Sequence, residues 1–292
     1  MSHEVVGIAL WGLGVFTSLG LVFGIALGGA AERFKVQGNP VVDRVRDRLP
    51  SANCGACGYA GCTAYAEAVV ERADVPTNLC IPGGAGVAKA VAELTGKDAG
   101  AVQDRIVVMT CHGTSAYAKE EAEYAGIPTC AAAALVFGGP RACKNGCLGL
   151  GDCVKACPFD ALFLNPGGIA QVKPETCTGC GVCVATCPKD LFRLYPRSRR
   201  IELACKAVDK ASVVRSTCMV GCTTCRKCVS KCPAGAIEWN GRTILLDHEK
   251  CLAYGPGCNE ACVDICPTNI LHRVGQAPRP ELVEVSEPVG VS

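Results

Sequence analysis

Aromatic residues are scarce in this chain of 292 residues, which has 7 Phe, 6 Tyr and 2 Trp. Aromatic side chains dominate the buried area of many cores, so a large aromatic-lined interior is excluded. Charge imbalance is also missing, with 29 basic residues against 27 acidic ones. That balance points neither to nucleic acid nor to an acidic tail. No Gly-x-Gly-x-x-Gly run opens a strand–turn–helix unit. Gly83-Gly84-Ala85-Gly86 has no strand before it and reads as a helix start, which leaves no dinucleotide fingerprint. A cleaved signal peptide is not expected, since Met-Ser-His-Glu is no basic leader and the apolar run after it is too long. What abounds is cysteine and glycine, 24 and 34 residues. Such a chain is expected to build small cores around disulfides or metal centres.

Topology separates those two. From Val5 to Ala31 no residue is charged, a run longer than the ~20 apolar residues that cross a bilayer core. Frequent glycines (Gly7, Gly12, Gly14, Gly20, Gly24, Gly28, Gly29) suit close helix–helix packing. Thr17 and Ser18 are expected to bond back within the helix or to meet a partner helix. Arg33, Lys35, Arg44, Arg46 and Arg48 follow the run, and only His3 and the amino terminus precede it. The positive-inside bias then places the bulk of the chain on the cytoplasmic side of the cell (inner) membrane as a single-pass protein. A reducing cytoplasm disfavours disulfides, so the cysteines are read as metal ligands.

Cys177-Thr-Gly-Cys180-Gly-Val-Cys183-Val-Ala-Thr-Cys187-Pro188 is an unbroken C-x2-C-x2-C-x3-C-P run. This is the ligand spacing of two-cluster bacterial ferredoxins, in which the fourth cysteine ligates the other cluster. The run sits inside an internal repeat. Cys143, Cys147, Cys153 and Cys157-Pro158 recur at equal intervals as Cys218, Cys222, Cys228 and Cys232-Pro233. The second copy has Cys225 where the first has Leu150, and Cys143 is expected to replace the missing ligand. Each copy continues into a hairpin. Ala161 to Asn165 and Ile169 to Lys173 flank Pro-Gly-Gly, and Ala236 to Trp239 and Thr243 to Leu246 flank Asn240-Gly241. A further cysteine run comes after each hairpin, Cys177 to Cys187 in the first copy and Cys251, Cys258, Cys262 and Cys266 in the second. In each module a helix after a Cys-Pro is expected to pack on a small sheet.

The crossed ligation rule then groups Cys143, Cys147 and Cys153 with Cys187, and Cys157 with Cys177, Cys180 and Cys183. It groups Cys222, Cys225 and Cys228 with Cys266, and Cys232 with Cys251, Cys258 and Cys262. The last set has a widened C-x6-C-x3-C spacing. Upstream, Cys54, Cys57, Cys62 and Cys80 form a separate four-thiol set with glycines between the thiols, which lets backbone amides approach sulfur. One zinc ion uses the same four thiolates, and the ferredoxin runs downstream favour iron–sulfur. Five [4Fe–4S] clusters are expected. Cys111, Cys130, Cys205 and Cys218 are left over, and two readings stay open for them: a sixth cluster, or buried thiols in small cores.

The expected class is α+β, in six segments. Residues 1–32 are a transmembrane anchor, 33–100 a small four-cysteine domain, and 101–142 a connecting α/β segment. Residues 143–200 and 201–275 are tandem two-cluster ferredoxin modules, and 276–292 a disordered tail. Helices are expected at Pro40 to Leu49 behind an Asn39 cap, at Thr63 to Arg72, at Ala85 to Leu94 closed by Gly96, and at Ser115 to Tyr124. Arg105 to Thr110 reads as strand.

The apolar span, Asn-Cys54-Gly-Ala-Cys57-Gly-Tyr-Ala-Gly-Cys62 and the tandem ferredoxin modules come in the order found in the B subunits of Rnf electron-transport complexes. The chain resembles that family from Val5 to about residue 275, in its long form. Ser51, where the family often has Gly, and Ala60, where it often has Pro, depart from the pattern. The resemblance implies an ion-translocating ferredoxin:NAD+ oxidoreductase of several subunits, coupled to Na+ or H+ transport. It implies soluble ferredoxin as electron donor, membrane lipid around the anchor, and flavin and nicotinamide sites on other subunits. Two other readings share parts of the pattern. One is a membrane-anchored polyferredoxin of another redox complex. The other is a corrinoid-linked iron–sulfur protein, for which residues 143–275 leave no cobamide domain.

Overall fold

The computed structural model describes residues 3–34 and 39–275, so the expected disordered tail lies outside the described residues. The chain divides into two units, residues 1–43 and 44–292. The first holds α1 (His3–Arg33), whose segment Leu10–Arg33 is long and apolar enough to cross a membrane by length and composition. Thr17 Oγ1 donates to Leu13 O at 2.7 Å, and Ser18 Oγ to Val15 O at 2.9 Å. These hydroxyls bond back to their own helix and leave no orphan donor in an apolar setting. α2 (Pro40–Arg48) starts at Asn39, whose side chain accepts from Val41 N.

The second unit starts with a helical cysteine domain. α3 (Cys62–Glu71) and α4 (Gly84–Thr95) bury Tyr65, Ala66, Val69, Val91 and Ala92. Gly96 ends α4 at φ +69°, a left-handed cap that glycine takes without steric cost. Lys97 Nζ donates to the carbonyls of Val69, Arg72 and Val75 and ties the α3 exit to the α4 exit.

Two modules of the same plan come next. In the first are β1 (Arg105–Met109), α5 (Cys130–Leu135), α6 (Asp152–Lys155), β2 (Leu162–Leu164), β3 (Ala170–Val172), α7 (Val182–Thr186) and β4 (Phe192–Pro196). The second has β5 (Ile201–Leu203), α8 (Ala211–Thr217), α9 (Lys227–Lys231), β6 (Ile237–Trp239), β7 (Ile244–Leu246), α10 (His248–Tyr254), α11 (Ala261–Asp264) and β8 (Leu271–Arg273). In each module the first strand pairs antiparallel with the last, and the middle two form the expected hairpin. β1, from the segment expected to connect domains, is thus hydrogen-bonded into the first module.

Each core interleaves apolar side chains, most of them branched aliphatics, with thiols. Ile106, Leu162, Ile169 and Phe192 surround Cys147, Cys153, Cys177 and Cys183; Ile201, Ile237, Ile244 and Leu271 surround Cys222, Cys228, Cys251 and Cys262. Full burial of each such aliphatic contributes ~1.5–3 kcal/mol, so strands of three to five residues hold only by sharing these centres.

Two expectations change here. The short helices α6, α7, α9 and α11 lie before each Cys-Pro, not after it. Immediately after each Cys-Pro the chain turns through a left-handed residue at Asp160, Asp190, Gly235 and Asn269, at φ +50°, +53°, +59° and +49°. Asp, Asn and Gly tolerate that region best, and the turn feeds straight into a strand. Residues 115–124 are turns and bridges, not a helix. Their backbone is used edge-on: Lys119 N donates to Thr217 O, Met219 N to Tyr117 O, and Glu121 N to Pro140 O. Tertiary hydrogen bonds replace the i to i−4 ladder.

Candidate iron–sulfur centres

The thiols gather in sets whose members influence one another electrostatically. Cys54, Cys57 and Cys62 act on Cys80, which burial and these neighbours push up to about 11. Asn53 Oδ1 accepts from Cys62 N at 2.9 Å and pins the loop to the α3 start. Cys157, Cys177 and Cys180 surround Cys183, pushed up to about 12, chiefly by burial. Cys222, Cys225 and Cys266 surround Cys228. Cys232, Cys251, Cys258 and Cys262 line one cavity, so the widened loop brings its thiols to the expected companions.

The first module groups its thiols differently from the crossed rule: Cys147, Cys130, Cys187 and Cys183 act on Cys153, whereas Cys143 interacts with Cys218 and Cys111. Cys130 stands at the first position of α5, behind the Thr129 cap, and Asp152 Oδ2 accepts from Ala131 N at 3.0 Å. That bond lashes α5 to the start of α6 and delivers Cys130 to the place that Leu150 leaves without a thiol. Cys143 instead lines a second cavity with Cys111, Cys205 and Cys218. Spacing could not reveal the exchange, because Cys130 lies 20 residues before Leu150 across a loop with no repeat equivalent.

Glycines set the loops between thiols. A Cβ on Gly149 would stand 2.3 Å from Gly168 O, and one on Gly179 2.4 Å from Arg105 O, both at positive φ. In each case the cysteine loop lies directly against another backbone, and no side chain fits.

The donor set fits a polynuclear iron group. Among the described residues, no three His, Cys, Asp or Glu side chains converge closely enough to hold one metal ion. Two groups of four thiols line cavities, Cys232, Cys251, Cys258 and Cys262 one and Cys111, Cys143, Cys205 and Cys218 the other, as suits a group in which each iron takes one thiolate. Two cations with little exposure, Arg141 and Arg200, lie near thiols. Arg141 is 5% exposed and donates to Gly113 O at 2.5 Å and Gly168 O at 3.3 Å, with no carboxylate partner among the described residues. Its charge acts on Cys111 and Cys147. Arg200 Nη2 lies 3.8 Å from Cys258 Sγ and also binds Glu260. Buried charges require partners, and an anionic thiolate-bound group supplies one. Burial raises the Cys80, Cys147, Cys153, Cys183, Cys228 and Cys262 thiols, so binding iron as thiolates would release their protons.

Comparisons with known proteins agree with this chemistry. A family model described as a putative Fe-S cluster matches residues 49–82, and a 4Fe-4S dicluster domain model matches residues 142–191 and 221–271. The chain is 43% identical over 261 residues to the B subunit of a proton-translocating ferredoxin:NAD(+) oxidoreductase complex from Clostridium ljungdahlii. That match covers 89% of this chain and 90% of the relative. The chain belongs to the Rnf B-subunit family. Other Rnf B subunits match over the same span. The B subunit of an ion-translocating oxidoreductase complex from Methanosarcina acetivorans is 40% identical over 87% of this chain and 94% of its own. The B subunit of a Na(+)-translocating ferredoxin:NAD(+) oxidoreductase complex from Acetobacterium woodii is 40% identical over 89% of this chain and 75% of its own. The two module matches leave Cys111, Cys130, Cys205 and Cys218 outside them.

Proposed function

We propose that this Rnf B subunit is the iron–sulfur electron-transfer subunit of a membrane complex that moves electrons between reduced ferredoxin and NAD+, coupled to Na+ or H+ translocation. Five thiol sets would each hold a [4Fe–4S] cluster: Cys54, Cys57, Cys62 and Cys80; Cys157, Cys177, Cys180 and Cys183; Cys130, Cys147, Cys153 and Cys187; Cys222, Cys225, Cys228 and Cys266; Cys232, Cys251, Cys258 and Cys262. Such clusters supply one-electron exchange without bond changes in a substrate. The protein's part is to position the thiolates, shield them and tune them through amide donors and buried cations. Ala161 N, for example, points at Cys157 Sγ at 3.4 Å.

The observation that carries this reading is the adjacency of sets. Cys54 of the helical domain lies close enough to act on Cys180, and Cys183 close enough to act on Cys153. These adjacencies support a row with the helical domain at one end and the modules as its other members. Positive charge after α1 supports a cytoplasmic position for residues beyond 32. In an assembled complex, Cys57→Ala should abolish ferredoxin-to-NAD+ turnover while other iron is retained. Retained turnover would reject the row as the path.

Soluble ferredoxin as the donor is supported at the other end. Cys225 alone among the cysteines is exposed. Arg226 and Lys227 follow it directly in the chain, and they, Lys231 and Arg242 are all exposed and without an ion pair among the described residues. Arg226 also covers the half-exposed Trp239 ring at 4.6 Å. A basic rim beside the most accessible thiol suits an acidic carrier protein.

A further inference from the structure

Four thiols fall outside the five sets, and they share one cavity. Cys111, Cys143, Cys205 and Cys218 line a space of about 20 Å³, the same size as the cavity bounded by Cys232, Cys251, Cys258 and Cys262. They are two copies of one pair. Cys111 comes after β1 as Cys205 comes after β5, and the two form an antiparallel bridge, with His112 N donating to Ala204 O at 3.2 Å. Cys143 stands four residues before Cys147 as Cys218 stands four before Cys222. The cavity lies where the duplicated modules meet, and each contributes the same two positions.

We propose that Cys111, Cys143, Cys205 and Cys218 hold a sixth [4Fe–4S] cluster at the junction of the two ferredoxin modules. This goes beyond the five-cluster reading and leaves it standing if it fails.

Thiols buried as small hydrophobes need no donors and no cation. Here Cys205 Sγ accepts from Cys222 N at 3.3 Å and Ala207 N at 3.4 Å, the pattern that favours thiolate. Arg141, buried without a carboxylate, brings its charge to Cys111 from the loop that ends in Cys143. Gly113 keeps the wall open, since a Cβ there would stand 3.2 Å from Cys218 Sγ and 3.9 Å from Cys111 Sγ. The junction is held shut around the site: Asn145 Nδ2 donates to Asp209 Oδ2 at 2.8 Å across the modules, next to Cys143. The site also sits between the neighbouring sets. Cys111 acts on Cys147 on one side, and Cys205 accepts from the Cys222 amide on the other. It fills the interval between the Cys130 set and the Cys222 set.

The test counts iron and acid-labile sulfide on the full chain in detergent, reconstituted anaerobically with iron and sulfide. Wild type should hold about 24 iron atoms, four for each of six sets. Cys111→Ala with Cys205→Ala should lower iron and sulfide by about four each. Adding Cys143→Ala should remove no more, because one cluster is lost once. Adding Cys130→Ala instead should remove about four more. Wild type at about 20 iron atoms would overturn the proposal. So would a Cys130→Ala, Cys143→Ala pair that loses no more than Cys130→Ala alone, since it would place both thiols on one cluster. Should the Cys111, Cys205 double variant lose all its iron, Cys218→Ser alone is read instead. Loss of one cluster's iron from Cys218→Ser, with the remaining clusters' visible absorbance intact, supports the site, and no loss overturns it.

Discussion

Arg200 gives the sharpest quantitative expectation. Its Nη2 is 3.8 Å from Cys258 Sγ, its side chain is only 14% exposed, and Glu260 and the Gly255 carbonyl hold it in place. A cation here stabilises the reduced form of a neighbouring cluster, which carries one more negative charge than the oxidised form. Two unit charges about 4 Å apart interact by ~4 kcal/mol at an effective dielectric of ~20. Spreading the added electron over a whole cluster, together with solvent screening, lowers that to roughly 1.4 kcal/mol, equivalent to an effective dielectric of ~60 at the same separation. One tenfold change in equilibrium is about 1.36 kcal/mol, or about 59 mV for one electron. Arg200→Gln should therefore lower the potential of the Cys232, Cys251, Cys258 and Cys262 site by ~60 mV, with ~170 mV as the ceiling that ~4 kcal/mol sets. Glu260 does not cancel the effect, because it is present before and after and the net change is one positive charge. Anaerobic redox titration followed by EPR reads the shift. Arg200→Lys is the control that keeps the charge and should stay within a third of the shift. An unchanged or raised potential in Arg200→Gln, with iron content intact, would refute the argument.

Gly149→Ala should cost the Cys147 and Cys153 site its iron, because the new Cβ meets Gly168 O and the backbone must move. Iron counts falling by about four test this, with Gly84→Ala, where a Cβ meets nothing within 4 Å, as a control for substituting a positive-φ glycine. His248 is buried against the Tyr195 ring at 4.1 Å, and burial first and Arg199 second hold its pKa near 4, with Asp247 opposing. The folded state then refuses a proton that the unfolded state takes below its ordinary pKa. Stability contributed by the neutral imidazole is full above about pH 6.5 and falls as pH drops toward 4, by up to roughly 3 kcal/mol. Anaerobic thermal unfolding at pH 7 and pH 5 should show a larger drop in Tm for wild type than for His248→Phe. Reversing Lys227 and Lys231 to Glu should raise KM for ferredoxin about tenfold at low salt and flatten its salt dependence. Stopped-flow reduction of the full chain measures both. Unaltered KM would remove the basic rim as the docking face.

The family, the iron–sulfur chemistry and the repeat were legible because they are local. A C-x2-C-x2-C-x3-C-P run is a single loop and helix turn, and Asn240-Gly241 is a single hairpin turn, so spacing alone encodes them. Residues 115–124 misled for the same reason. Their composition favours a helix, but the hydrogen bonds that decide their shape come from Thr217, Met219 and Pro140.

Spacing along the chain was enough to show the cysteine runs, their duplication and the family they belong to. Packing, not spacing, brings Cys130 close to Cys153 and places Cys143 in a cavity with Cys111, Cys205 and Cys218. Ligation of a cluster is a relation among four points in space, and any one of them can be carried in on an unrelated loop. α5, lashed to Asp152, brings Cys130 close to Cys153. The Cys111–Cys205 bridge brings two repeats together and draws Cys143 and Cys218 into the gap. A repeat read along the chain shows each copy's positions. That two copies meet through those positions is decided by packing, which no interval in the sequence records.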